Sequence, residues 1–439
     1  MNSRRDFVST AAALGAGVMI VPRHVLGGPG YIAPSDKLRV ACIGVGGMGR
    51  NDVRGMESET IVALCDVDWS MAGDAFQSYP QARRYKDYRE LFDKEREIDV
   101  VTVSTPDHMH APITLRALRE GKHVYTQKPL ARTVGEVRAI VAEAKARPKQ
   151  VTQMGNQGHA LEGVRQLREM IEAGLIGTVE RVECWTDRPI WPQGMRRPTD
   201  AHNVPPTLDW NLWLGAAPER PYHPGYAPFN WRGYWDFGTG AMGDMACHIM
   251  DAPYWILGLK YPTRVIPDVS PLFEETAPRS SRVEYTFPAR GDRPAVTVVW
   301  RDGNLRPARP FDWPLAKSWP FDGSGQLWVG TKGTIVAGTY GENPRLSDET
   351  KQAAHKAAPP PVKYPRTKGV FAEWTDAIRN GGRAGSDFIC HAGPLTEMIV
   401  LGNLSVRTGR VIELDPETGA LKTQGIPTEF ITPTYRPGW

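Results

Sequence analysis

Val40-Ala41-Cys42-Ile43-Gly44-Val45-Gly46-Gly47-Met48-Gly49 is the stretch whose reading decides the fold. Strand formers stop at glycines placed Gly44, Gly46 and Gly49, the G-x-G-x-x-G spacing of a dinucleotide-binding turn. In such a turn the first glycine permits the tight bend and the second lets the backbone approach a pyrophosphate. The third lets the next helix pack on the strand. Gly47 and Met48 lie between them, where helix N-terminal amides face phosphate. Taken alone, the pattern also describes an ordinary glycine-rich turn. Its neighbour favours the dinucleotide: Ile61-Val62-Ala63-Leu64-Cys65 reads as a second buried strand ending in Asp66, 22 residues after Gly44. A carboxylate there accepts from ribose hydroxyls and repels a 2′-phosphate, which favours NAD over NADP; Asp68 adds to the repulsion.

Outward from the turn, residues 36–155 alternate short apolar runs with helical patterns. Strands are expected at 38–43, 60–65, 98–104, 122–126 and 150–154, with helices at Ala111–Arg119 and Val134–Ala146 among those between them. That alternation predicts a parallel α/β sheet with right-handed crossovers. From 156 to 410 the pattern changes. A helix is expected over 160–174, then strands at 179–186, 282–287, 295–301, 326–330 and 333–337 without regular helices between them. This reads as an α+β domain with a large, open, mostly antiparallel sheet. Residues 187–235 form a long Pro- and Trp-rich connection of the size that covers or forms a site. Residues 352–366, with Ala357-Ala358-Pro359-Pro360-Pro361, read as an exposed connection. Helices are expected at Phe371–Asn380 and about 393–408, the latter packing back on the first domain, and 411–439 as a C-terminal extension.

The totals exclude several classes. The 439 residues carry a net charge of +4 with Lys and Arg scattered, so no nucleic-acid partner is indicated. The five cysteines form no C-x-x-C pair and sit in apolar contexts, which reads as buried free thiols and neither a disulfide framework nor a zinc site. At the N-terminus, Ser3-Arg4-Arg5-Asp6-Phe7-Val8 precedes a mildly apolar Ala/Gly-rich run to Val21. This twin-arginine pattern sets residues 1–34 apart as an export signal. It predicts a periplasmic protein, tethered to the membrane if the signal is retained. The run is too short for a stable transmembrane span. A frayed N-terminal helix is the plainer alternative.

Residues able to do chemistry gather at strand ends and in one later cluster. Val103-Ser104-Thr105-Pro106-Asp107-His108-Met109-His110 and His123-Val124-Tyr125-Thr126-Gln127-Lys128-Pro129 both end strands. In open α/β sheets ligands bind outside such ends, so Lys128 should enter the crevice of the glycine turn. A solvated loop lysine is the alternative. Asn156 and His159 follow the last strand and are candidate substrate contacts facing the same crevice; for His159 a place in the cap region of a helix N-terminus is the alternative. The later cluster is Asn230 to Asp251. Asp244 and His248, four apart, share a helix face. They read as a mutually satisfied core pair, as half of a metal site lacking further ligands, or as an acid/base pair; the dinucleotide turn favours the last, with no metal. Trp231, Arg232, Tyr234 and Trp235 are candidate walls for a sugar, since aromatic faces pack on C–H surfaces; plugs of the core are the alternative.

In this order and spacing the motifs resemble the glucose–fructose oxidoreductase and inositol dehydrogenase family, the Gfo/Idh/MocA group. The matching residues are Gly44–Gly49, Thr105-Pro106 with His110, Gly121-Lys122-His123-Val124 leading to Lys128-Pro129, and the D-x-x-x-H pair Asp244/His248. The resemblance covers about 37–410. It implies an N-terminal Rossmann domain that binds NAD and a C-terminal domain whose sheet forms dimers or tetramers. It also implies catalytic Lys128, Asp244 and His248, with cofactor contacts at Thr105, Pro106, His110 and Gln127. One departure is visible: the family's Glu-Lys-Pro is Gln127-Lys128-Pro129 here. The implied substrate is a sugar, a cyclitol or a glycoside oxidised at a secondary hydroxyl. Redox-neutral glycoside cleavage with retained NAD is the alternative, favoured by export, and a non-catalytic sugar-binding protein is a third reading.

Overall fold

The computed structural model describes residues 32–310, 312–313 and 323–439. The twin-arginine stretch lies outside the described residues. Six parallel strands form the first sheet: β1 (Arg39–Ile43), β2 (Thr60–Cys65), β3 (Arg83–Tyr85), β4 (Val100–Val103), β5 (His123–Thr126) and β6 (Thr152–Met154), in the order β3-β2-β1-β4-β5-β6. β1, β4 and β5 are buried almost throughout, as strands covered by helices on both faces must be. The strand order reverses between β1 and β4, so their carboxyl ends open the crevice of a doubly wound sheet. β3 escapes a reading by apolar runs: it is three residues long at the sheet edge, and two of them are arginines.

The second sheet has eight strands: β7 (Val179–Trp185), β8 (Arg264–Val269), β9 (Ser281–Phe287), β10 (Val296–Arg301), β11 (Gly325–Gly330), β12 (Gly333–Ala337), β13 (Arg345–Leu346) and β14 (Ile412–Glu413). Their order is β13-β12-β11-β7-β10-β9-β8-β14. Only the β7–β10 pair is parallel, so the sheet is mostly antiparallel, as expected. β9 alternates buried and half-buried residues without a break, the mark of one face on a core. β8 contains Pro267, which argues against a strand by sequence. β14 pairs only with Arg264 and Val265, so Pro267 stands on an edge where a missing N–H is tolerated.

Two expectations change. Residues 352–357 belong to a helix, Glu349–Ala357, a run of helix formers capped by Asp348, whose side chain accepts the Lys351 N–H at 3.0 Å. Cys390 is exposed, while the other four cysteines are buried. The helix Val370–Asn380 also crosses back to the first sheet: Phe371 stacks on Tyr125 at 4.7 Å and Trp374 is buried with β1 and β2 side chains. The Gly393–Thr408 helix follows it. Gly393 abuts Val141 of the first domain, and Arg138 there donates to Glu397 at 2.8 Å. The 411–439 segment supplies β14 and then returns to the first domain. Tyr435 donates to Glu136 at 2.8 Å, and Trp439 lies beneath the Arg89 guanidinium at 4.1 Å. Among the described residues no helix is long and apolar enough to cross a membrane.

Candidate active site

The turn after β1 is fixed by its own backbone. Gly44 has φ +79°, and a Cβ there would lie 2.6 Å from the Ser104 backbone. A Cβ on Gly49 would lie 1.9 Å from the Gly44 carbonyl oxygen, so the helix starts tight against the turn. A Cβ on Gly46 would meet the Met71 Cβ at 2.8 Å, a packing demand separate from any ligand. Gly47 faces open space and Met48 is 52% exposed, so the tip of the turn points outward. Asp66 holds this shape: its Oδ2 accepts the Val45 and Gly46 N–H groups at 2.8 and 3.1 Å, and its Oδ1 accepts the Asp68 N–H at 2.9 Å. Burial raises its pKa against those hydrogen bonds. The acid expected on a ribose is thus first a clamp on the turn, and only its remaining lone pairs would meet hydroxyls. Across the β1/β4 opening, the Thr105 hydroxyl is buried without a partner, at the place where a bound dinucleotide offers one. The open turn tip and this orphan hydroxyl fit the cofactor.

His110 does not face the crevice. It is buried, with Nδ1 at 2.7 Å from the Pro129 carbonyl and Nε2 at 2.8 Å from the Thr105 carbonyl. It ties the end of β4 to the Lys128-Pro129 segment, and the expected cofactor contact is corrected to this support. Gln127 is likewise turned inward. Its amide donates to both oxygens of Asp52 at 3.0 and 2.9 Å, and Ser104 Oγ donates to Asp52 at 2.6 Å. Burial pushes the Asp52 carboxyl up to about 6, against its hydrogen bonds from Ser104 and Gln127. The family carboxylate at 127 would face a second carboxylate there; the amide satisfies Asp52 instead.

Lys128 follows β5 and reaches across to the second domain. Its Nζ donates to Asp244 Oδ1 at 2.8 Å and to the Asp244 carbonyl at 2.9 Å. Both side chains are 11% exposed. Asp244 also faces Arg232 Nε at 3.3 Å, and Arg232 Nη1 donates to Asp107 at 3.2 Å. Burial works against the Asp244 carboxylate, but Arg232 and Lys128 outweigh it and hold its pKa well below the usual range. Asp107, buried and also bonded by Thr239 Oγ1 at 2.6 Å, was not singled out by sequence: its partners lie 125 and 132 residues away.

His248 sits on the same buried helix, Gly240–Ile249. Asp244 does not orient it. Its Nδ1 faces Asn156 Oδ1 at 3.3 Å, and the Tyr340 ring stands edge-on at 5.1 Å. Burial, followed by the Lys128 charge, lowers its pKa to about 3, so the ring is neutral near pH 7. Asn156 and His159 are buried behind it and do not line the crevice as expected. Asn156 Nδ2 donates to Asp251 Oδ1 at 2.8 Å, and His159 Nδ1 lies 3.0 Å from both Asp251 oxygens. His391, missed by sequence, completes the group at 2.5 Å from Asp251 Oδ1. That separation is a hydrogen bond and is too short for the edge of a metal coordination shell at ordinary ligand distances. Tyr234 and Trp235 are corrected to core residues: Tyr234 packs on Tyr226 at 4.8 Å, and both are buried. Trp231 is half-buried with the Arg232 guanidinium 4.2 Å above its ring.

Comparison with known proteins agrees with this architecture. Residues 38–154 match the model of an oxidoreductase family with an NAD-binding Rossmann fold, and residues 161–293 match that family's C-terminal alpha/beta domain. A glycosyl hydrolase family 109 protein of Shewanella pealeana is 30% identical over 201 residues, 40% of this chain and 44% of that relative. An alpha-N-acetylgalactosaminidase of Shewanella oneidensis is also 30% identical, over 40% of this chain and 43% of its own length. An inositol 2-dehydrogenase of Salmonella typhimurium is 28% identical over 32% of this chain and 43% of its own. The matches therefore span less than half the length of these relatives. Among solved structures, the WlbA dehydrogenase of Bordetella pertussis in complex with NADH and UDP-GlcNAcA superposes with a TM-score of 0.60 at 16% identity, over 86% of this chain and 99% of that one. At that identity the likeness is one of fold. The two matched segments cover more than half of the chain, and with the β1/β4 crevice they place it in the Gfo/Idh/MocA oxidoreductase family, with NAD as its cofactor.

Proposed function

We propose that the protein is an NAD-dependent oxidoreductase acting on a secondary hydroxyl of a sugar, a cyclitol or a glycoside. The observation that carries this reading is the Lys128–Asp244 pair, which joins the end of β5 to the second domain beside a neutral, buried His248. Bound NAD supplies the hydride acceptor. His248 takes the hydroxyl proton, and being neutral it is ready to do so. Lys128 stabilises the negative charge that develops on that oxygen, while Asp244 keeps Lys128 in place and charged. Arg232 and Asp107 hold Asp244 from the far side. Thr105, Gly47 and Met48 take the cofactor side, and Trp231 with Arg232 takes the substrate side.

A second reading, redox-neutral glycoside cleavage with the cofactor retained, draws support from the relatives named as glycosyl hydrolases and an alpha-N-acetylgalactosaminidase. The twin-arginine pattern supports it too, since export of a folded, loaded enzyme to the periplasm favours a cofactor that stays bound. We further propose that Asp66 and Asp68 favour NAD over NADP, and that the protein assembles as a homodimer or homotetramer. Mass spectrometry of the purified protein for retained NAD(H), followed by a glycoside and cyclitol panel read at about 340 nm, separates the readings. Net NADH supports a dehydrogenase. Glycoside cleavage without net NADH supports the second reading. Sugar binding with neither reaction sinks both.

A further inference from the structure

Behind His248 lies a chain of buried polar groups. Asn156, Asp251, His159 and His391 are at most 5% exposed. Their hydrogen bonds admit one assignment at the decisive point. A carboxylate without a proton only accepts, so the Asn156 group 2.8 Å from Asp251 Oδ1 is the NH₂. The amide oxygen therefore faces His248 Nδ1, at 3.3 Å. That oxygen also only accepts, so Nδ1 must carry the hydrogen. Asp251 is itself held as the anion: burial opposes its charge, but the neighbouring His159 and His391, which both donate to it, hold its pKa well below the usual carboxylate range. Turning the Asn156 amide over would set its oxygen against Asp251 and leave buried polar groups unpaired, which costs about 1–3 kcal/mol.

We infer that Asp251, acting through the Asn156 amide, fixes His248 as the Nδ1–H tautomer, so that Nε2 carries the free lone pair. Asn156 and Asp251 are thus positioning residues. The inference rests on the reading of His248 as the base of the proposed reaction. It also accounts for a carboxylate and two imidazoles being buried where an apolar core would have sufficed. The tautomer is the less common one for a free neutral imidazole in water, so it needs a fixed acceptor at Nδ1.

The test is nitrogen-15 NMR of the full chain with labelled histidine, with the His248 signals assigned by their loss in His248→Gln. The wild type should show His248 protonated on Nδ1 and free on Nε2. Protonation on Nε2 overturns the inference. Asn156→Leu, similar in shape but without the acceptor, should move the proton to Nε2. It should also lower kcat by about 10²-fold with KM within about threefold, an effect of the size expected for a mispositioned base. An unmoved proton in that variant, or in Asn156→Ser if Asn156→Leu does not fold, also overturns it. The spectrum reads the tautomer whether or not a substrate is in hand. A failed proposed function, seen as unchanged turnover in His248→Ala, is therefore distinguishable from a failed tautomer assignment.

Discussion

The cofactor turn and the His248 helix are held in place in different ways. At the turn, Gly44 to Gly49 are shaped by backbone, and their one side-chain clamp, Asp66, binds N–H groups 20 and 21 residues away. At the helix, every hydrogen bond of His248 and Lys128 that matters reaches across the fold: Asn156 lies 92 residues from His248, and Asp244 116 from Lys128. The turn is a local device that a ligand fills. The Lys128, Asp244 and His248 cluster exists only when two domains are together, and the Lys128 and Asp244 charges are already paired.

That difference can be broken from either side. The largest effect is expected at the cluster: Lys128→Ala or His248→Ala should lower turnover at least about a hundredfold while NAD affinity, read by calorimetry, stays nearly unchanged. Gly44→Ala should do the reverse. Its φ of +79° and the 2.6 Å approach to Ser104 force the backbone to move, so stability should drop by roughly 2–4 kcal/mol and NAD binding should weaken, both seen by thermal shift with and without NAD.

Acid should strike the histidines before the carboxylates. Burial lowers His108 and His248 to about 3 from 6.5. Between those values the unfolded chain binds more protons than the folded one, so stability falls as pH falls; above 6.5 it is fully present. Each site should cost about 2 kcal/mol on going from pH 7 to pH 5, measurable as a lower denaturant midpoint. The smallest effect is the sharpest. Gln127→Glu puts a second carboxylate against Asp52, whose pKa is already about 6. It should destabilise by roughly 1–2 kcal/mol at pH 8, and less at pH 5, where the pair can share a proton. An equal cost at both values would mean that the pairing with Asp52 is not what selects the amide.

The same contrast explains what the sequence discloses. Both sheets are legible from runs and punctuation: β2 and β12 fall within the expected limits, and Lys128 meets Asp244, while the pairing of Arg232 with Asp244 was not legible. β3 and β8 are less legible because polar residues and Pro267 fit edge positions that periodicity does not describe. Among site residues, His110, Asn156 and His159 have polarity that announces them, but their direction is set by distant carbonyls and by Asp251. Tyr234 and Trp235 carry no sign of which side of the chain the core lies on. His391 stands 140 residues from Asp251, and nothing near it in sequence marks it as a partner. What stays hidden is the pairing of buried polar groups, which only the assembled domains decide.

The most direct test of the account compares the purified full chain with its His248→Ala variant, both loaded with NAD, in stopped-flow absorbance at about 340 nm across sugars, cyclitols and glycosides. The account predicts that at least one substrate gives a signal, transient or lasting, in the wild type. It predicts that the variant binds NAD equally and gives that signal at least about a hundredfold more slowly. The same rate in both proteins, or no signal from any substrate in a wild type loaded with NAD, would contradict it.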